Sequence, residues 1–396
     1  MLNSFFYVSV SKLIIVLSQF IFLLIFARTL PVVDLGFYAL VLAVVTPLVW
    51  AFIFDVPVKI IANTLETKNL FVLLFPNLVV LIGLSMMTLS INIFAVDLSI
   101  RYLLILLIFI LKFGEVIAEV EYAMLRRMEK FKLYALISSV RFLLIYISGA
   151  VAIISDYQVV PAIFILSTLS ILFSFLSIHR LKSEGWKFDP RFEDIMPYFK
   201  ENISLGVASG LKFFSANLMR YFVAFQFGIV SLGYMTPIFY GLTTLSTVST
   251  IFDNIFSPKL LKTMDRSNKF NLKSHKKEVV ILLSTSILIF ILSVLFSNYY
   301  YNFFFPNNDN GYHNLLIVFS IGWIFYVSRA MLKVVSFKLG LQHLQMKVQL
   351  MFLFILAILM SVFSFLFGVI GVALAFVISS SFISIYYFRK VSQRLC

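Results

Sequence analysis

About twelve apolar segments run through this 396-residue chain, and the cations between them crowd one side. Of the 32 Lys and Arg residues, 25 fall in the N-terminal region, the loops after even-numbered segments, the adjoining segment ends or the C-terminal region. Arg28 and Arg101 alone occupy the opposite loops, and the remaining five lie inside segments. An α-helix needs about 20 apolar residues to cross a bilayer, and an excess of Lys and Arg marks the cytoplasmic face. The chain therefore reads as an all-α polytopic membrane protein of the cytoplasmic (inner) membrane, with both termini cytoplasmic. The outer loops are short and nearly bare, which places the working parts within the bilayer.

Composition agrees. Hydrophobic residues make up 61% and charged residues 13%, whereas soluble domains are about a quarter charged. The net charge of +14 does not imply nucleic acid, because the cations are spread over juxtamembrane sites where they fix topology and meet anionic lipid headgroups. The first segment, Val8–Leu30, is too long for a signal-peptide core and no small-residue cleavage site follows it, so it reads as a retained helix. The one cysteine, Cys396, excludes an intramolecular disulfide.

Further helices are expected at Gly36–Val56, Leu70–Phe94, Tyr102–Met124, Leu133–Ile154 and Val159–His179. After the polar stretch Arg180–Lys200 they resume at Glu201–Phe227, Gly233–Phe256, Glu278–Asn298, Tyr312–Lys333, Leu344–Phe367 and Gly371–Phe388. The expected organisation is a six-helix bundle over 1–180, a cytoplasmic linker over 181–200 and a second six-helix bundle over 201–396. Internal repetition supports two halves. Leu35-Gly36-Phe37-Tyr38 precedes Ile53-Phe54-Asp55, and Leu232-Gly233-Tyr234 precedes Ile251-Phe252-Asp253; the Gly-to-Asp spacings are 19 and 20. Ala123-Met124-Leu125-Arg126 likewise matches Ala330-Met331-Leu332-Lys333. An even number of helices per repeat makes the repeats parallel, and transporters built this way bind substrate between the halves.

Ala27-Arg28-Thr29-Leu30 followed by Leu35-Gly36-Phe37-Tyr38 resembles the start of polysaccharide exporters, as does the charged stretch from Glu121 to Lys132. Phe227-Gly228, Leu232-Gly233-Tyr234 and Ser257-Pro258-Lys259-Leu260 fit the same pattern in the second half. The chain resembles the Wzx-type flippases of O-antigen and capsule repeat units, within the multidrug/oligosaccharidyl-lipid/polysaccharide superfamily. That resemblance implies two bundles around a central cationic cavity. It also implies transport of an undecaprenyl-diphosphate-linked oligosaccharide, with a polysaccharide polymerase and a chain-length regulator as partners.

Asp55, Lys112, Glu115, Glu119, Arg141, Lys212, Arg220, Asp253 and Arg329 lie within the apolar segments. At roughly 2.5–3.5 kcal/mol each, nine such charges facing lipid would cost on the order of 20–30 kcal/mol. They must face one another or a wet cavity. Lys112, Glu115 and Glu119 share one helix face: either an ion-pair cluster that packs the bundle, or carboxylates that respond to a coupling ion. Asp55 and Asp253 occupy equivalent helix ends, beside Lys59 and Lys259, and are also ion-coupling candidates. Arg141 and Lys212 have no acid within a helical turn, so each needs a partner from another helix or from an anionic ligand. With Arg220 and Lys112 they are the candidate diphosphate-binding cations, Arg being suited to bidentate contact with phosphate oxygens. Lys212 and Arg220 are about 12 Å apart along their helix, too far for one phosphate. Arg329, one turn inside the boundary, is expected to snorkel to the interface.

No phosphate-binding G-x-x-x-x-G-K-[ST] loop, intramembrane His or metal-ligand spacing occurs in the sequence, so neither cofactor nor metal is expected. Two rival readings stand beside the flippase. An ion-coupled drug or cation antiporter of the same superfamily would favour cationic substrates, against the unpaired cations. An O-antigen polymerase or ligase would need a long outer loop; the longest, about Ser297–Gly311, holds one acid, Asp309.

Overall fold

The computed structural model describes the chain except residues 1, 55, 63–64, 66, 95, 157, 268–275, 307–311, 339–341 and 394–396. It is helical from end to end: α1 (Leu2–Thr29), α2 (Val32–Ala51), α3 (Val56–Ala62), α4 (Leu70–Phe94), α5 (Val96–Arg127), α6 (Phe131–Asp156), α7 (Val159–Ser183), α8 (Ile195–Ser267), α9 (Lys276–Phe304), α10 (His313–Lys338), α11 (Gln342–Phe367) and α12 (Val369–Ser392). Gly228, at φ 84 and ψ 168, interrupts α8. Residues 195–227 and 229–267 are therefore separate rods. With the seven-residue α3 set aside, the described chain has the twelve long helices that its apolar segments require.

Nine stretches among the described residues are long and apolar enough to cross a membrane, one of them (Leu205–Thr244) running through Gly228. The protein is a multi-pass membrane protein. In lipid every backbone N–H and C=O must be satisfied within the chain, and helices achieve this segment by segment. The helix α5 is the informative exception: it carries Lys112, Glu115, Glu119 and Glu121, yet most of its described residues are buried.

Two compact units, Met1–Tyr221 and Phe222–Cys396, divide the chain. In the first, α5 is the central helix, packed against α2, α3, α4, α6 and α7, while α6 also packs on α1 and α7. The first part of α8 belongs to this unit and lies on α2. A Cβ on Gly206 would stand 2.5 Å from the Phe54 ring and 2.7 Å from the Ala51 carbonyl oxygen, so only glycine permits this approach. The rings of Trp50 and Phe213 stack at 5.2 Å, and the Tyr221 hydroxyl donates to the Ala43 carbonyl. In the second unit α10 packs on α9, α11 and α12, and α11 on α12. Helices α4 to α7 of the first unit follow the same scheme, with α5 on α4, α6 and α7, and α6 on α7.

Two local expectations are corrected. The second helix ends at Ala51, not Val56: Phe54 takes the left-handed region at φ 52 and the chain restarts as α3. Of the polar stretch Arg180–Lys200, only 184–194 is non-α-helical, including a 3-10 turn at Phe192–Asp194. This loop is pinned to the start of α4, with Leu70 N donating to Lys187 O (2.8 Å) and Lys187 N to Lys68 O (3.0 Å). The three tyrosines near the end of α9 differ in their surroundings. Tyr299 is exposed, but Tyr300 donates to Pro237 O at 2.8 Å and Tyr301 is buried.

Candidate functional site

Spacing of three and four residues puts Lys112, Glu115 and Glu119 on one face of α5. The Lys112 Nζ lies 3.0 and 2.8 Å from the two carboxylate oxygens of Glu115. Tyr146 on α6 donates its hydroxyl to Glu115 Oε1 at 3.2 Å, and Gln19 Nε2 on α1 donates to that hydroxyl at 3.3 Å. Edge contact with Phe22 and stacking on Phe142 hold the Tyr146 ring. Three helices thus converge on one carboxylate through a part-buried polar chain. Nearer the end of α5, Glu119 meets Arg126 at 3.3 Å and Lys12 of α1 at 4.0 Å.

A second network lies between α5, α6 and α7. Arg141 is buried, and its Nη2 donates to the carbonyls of Gly114 (2.8 Å) and Ser170 (3.1 Å) and to the hydroxyls of Ser170 and Ser174. Through Ser177, at 3.5 Å from Nη1, it reaches Glu121, which accepts from the Ser177 hydroxyl at 2.5 Å and from Arg180 at 2.8 Å. The seam itself is a serine ladder. Ser167, Ser170 and Ser174 of α7 donate to the carbonyls of Leu107, Leu111 and Gly114 on α5. Small polar residues let membrane helices approach closely, and Gly114 is where they come nearest: a Cβ there would stand 2.3 Å from Ser170 Oγ.

The partner that Arg141 needed therefore comes from two other helices, and its charge is spent inside the bundle. Glu115 and Glu119 pair with Lys112, Arg126 and Lys12, and not with Arg141, Lys212 or Arg220. On α8, Lys212 is exposed, its ammonium 5.5 Å from the Phe213 ring centre. Arg220 is partly exposed and donates to Asn217 Oδ1 at 2.9 Å. Asp55 and the side chain of Asp253 lie outside the described residues. Lys59, the cation expected beside Asp55, donates to Asn202 Oδ1. Arg329 does not snorkel: it is 8% exposed, with its guanidinium 4.7 Å from the Tyr326 ring centre and 4.6 Å from that of Phe352.

Sequence reasoning missed Glu121, Gln19 and Tyr146. It assigned Glu121 to a charged loop, whereas this carboxylate is completely buried in α5. A signal was present in Ser167, Ser170, Ser174 and Ser177, whose three- and four-residue spacing draws one polar stripe along α7 and demands polar partners opposite.

No protein-family model matches the sequence. A capsular polysaccharide biosynthesis protein, CapF of Staphylococcus aureus, is 25% identical over 98% of this chain and 99% of its own length. Among solved structures, the lipid II flippase MurJ in an inward closed conformation superposes with a TM-score of 0.68, at 15% identity, over 99% of this chain and 88% of that one. A MATE transporter in complex with MaL6 gives 0.65 at 14% identity over 99% and 96%. A transporter of the multidrug/oligosaccharidyl-lipid/polysaccharide superfamily from Pyrococcus furiosus gives 0.64 at 14% identity over 99% and 95%. The chain has the fold of these transporters, and its likeness to the capsular polysaccharide biosynthesis protein extends over 98% of its length.

Proposed function

We propose that this chain, with the fold of the multidrug/oligosaccharidyl-lipid/polysaccharide superfamily, is a flippase of the inner membrane. Its cargo on this reading is an undecaprenyl-diphosphate-linked oligosaccharide, a capsule or O-antigen repeat unit, carried from the inner to the outer leaflet. The end-to-end similarity to a capsular polysaccharide biosynthesis protein carries the reading. Both termini face the cytoplasm, as the basic loops require. The protein acts as a transporter and does no covalent chemistry, and it hands its cargo to a polymerase and a chain-length regulator.

Within this reading, Lys212 and Arg220 supply cationic charge for the diphosphate at successive stages of its path. Glu115, gripped by Lys112 and Tyr146, is the ion-responsive group. A carboxylate that already accepts from an ammonium and a phenol changes its pairing whenever Lys112 is drawn away, which is what a coupling site in a moving bundle must do. Asp55, Glu119 and Asp253 remain secondary candidates for that role. Arg141 belongs to the scaffold.

An antiporter of cationic compounds is the second reading, because the MATE structure superposes nearly as well as the flippase. Deleting the gene in its host and locating the lipid-linked repeat unit separates the two. Repeat units trapped on the inner leaflet, with surface polymer lost, support the flippase. Unchanged glycolipids with altered resistance to cationic compounds support the antiporter, and single units stranded on the outer leaflet would point to a polymerase. Complementation with Lys112→Met or Glu115→Gln should then abolish export at normal membrane levels. Wild-type export by both variants would remove this pair from the mechanism.

A further inference from the structure

The second unit buries a cation that its own helices leave unmatched. Arg329 on α10 is 8% exposed and lies over the Tyr326 and Phe352 rings. Its Nε and Nη2 have no hydrogen-bond partner among the described residues. These two atoms share one edge of the guanidinium, and their parallel N–H groups form the fork that grips two oxygens of a carboxylate or phosphate.

The first unit treats its buried cations otherwise. Part-buried Lys112 has Glu115, and Arg141, although its Nε also lacks a partner among the described residues, gives its Nη2 to two carbonyls and two hydroxyls. Residues 222–396 contain four acids, Asp253, Asp265, Glu278 and Asp309, and none belongs to α10, α11 or α12. No carboxylate comes from α10, α11 or α12, and the side chain of Glu278, on α9, lies outside the described residues. An unpaired charge at membrane depth is costly and marks function, and packing alone would be met by Met or Leu.

Depth narrows the choice of ligand. Arg329 lies four residues from Lys333 and nine from Lys338, the last residue of α10. Those separations are about 6 and about 14 Å along the axis. Arg329 is thus about one turn from Lys333 and about two and a half turns from the basic end of the helix, within reach of a lipid phosphate at the edge of the hydrocarbon.

We propose that Arg329, flanked by Tyr326 and Phe352, is a binding site for the phosphate of an anionic lipid. That phosphate can come from a membrane phospholipid or from the diphosphate of a lipid-linked sugar. The second source rests on the flippase reading; the site does not.

Native mass spectrometry of the purified full-length protein tests this, titrated separately with phosphatidylglycerol, undecaprenyl diphosphate, phosphatidylcholine and undecaprenol. The wild type should retain an anionic lipid at least tenfold more tightly than either uncharged control. Arg329→Gln should lose that preference, and Arg329→Lys should fall between, keeping the charge without the fork. A preference for phosphatidylglycerol identifies a phospholipid site, and one for undecaprenyl diphosphate identifies a step on the cargo's path. Equal retention by Arg329→Gln and wild type, or no preference over the neutral lipids, overturns the proposal. Thermal midpoints in detergent guard against misfolding. Arg329→Met should melt at or above the wild type, since it removes an unmatched buried charge. A large drop, with anionic-lipid binding per folded molecule unchanged, would make Arg329 a packing residue and refute the site. Failure of the deletion phenotype would refute the flippase while leaving the binding result standing.

Discussion

Glu121→Gln isolates the charge on which the first unit depends. Glu121 is completely buried and neutralises Arg180, itself 43% exposed, at 2.8 Å. It also faces Arg141 across Ser177. Gln is nearly the same shape, so packing survives while the charge is removed and one acceptor oxygen becomes a donor. Arg180 has only donors and must keep the remaining oxygen; Ser177 must turn from donor to acceptor. Breaking a buried ion pair by removing one partner costs about 3–5 kcal/mol. Arg180 can swing toward water, so the lower figure, about 3 kcal/mol, applies. With an unfolding entropy of about 2.1 cal/mol/K per residue, that is roughly 4 °C if the chain melts as one body. It is roughly 6 °C if the first unit melts alone. Scanning fluorimetry in detergent, run at one heating rate, measures it. Adding Arg141→Met should restore at least half of the loss, because the second change removes a cation that the first left unmatched. A Glu121→Gln midpoint within 1 °C of wild type, or a double variant worse than the two losses combined, would refute the reasoning.

Two further predictions concern glycines. Gly206→Val should lower the midpoint by the equivalent of about 1–3 kcal/mol of overpacking, because the added carbon meets the Phe54 ring and the Ala51 carbonyl; unchanged melting would mean that α2 and α8 can part freely. Gly228→Ala faces open space but a backbone region reserved to glycine, at φ 84 and ψ 168, so it should cost about 1–3 kcal/mol through conformation alone. An Ala variant as stable as the wild type would show that the break in α8 does not need this conformation.

Helix number and approximate extent were legible in the sequence because each helix must satisfy its own backbone within lipid. Gly371–Phe388 against α12 and Leu344–Phe367 against α11 show how nearly apolar runs and turn residues mark the ends. Matching motifs also fall at the ends of α5 and α10, each of which packs on the helix before it and the two after it. That Lys112, Glu115 and Glu119 share a face followed from helical period. That Glu115 would also take Tyr146, and Glu119 Lys12, did not, because partners on other helices leave no trace in local spacing.

The sequence therefore determined that the chain crosses a membrane many times, with more intramembrane charge than lipid tolerates. Only the tertiary structure decided how that charge is distributed. Arg141 is neutralised by carbonyls, hydroxyls and Glu121, and Lys112 is held by Glu115 and Tyr146. Arg329 lies among aromatic rings with its fork unmatched. Hydrophobicity is a property of each residue and can be read one residue at a time, whereas the cost of a buried charge depends on what stands within about 4 Å of it, and that is fixed only when helices pack.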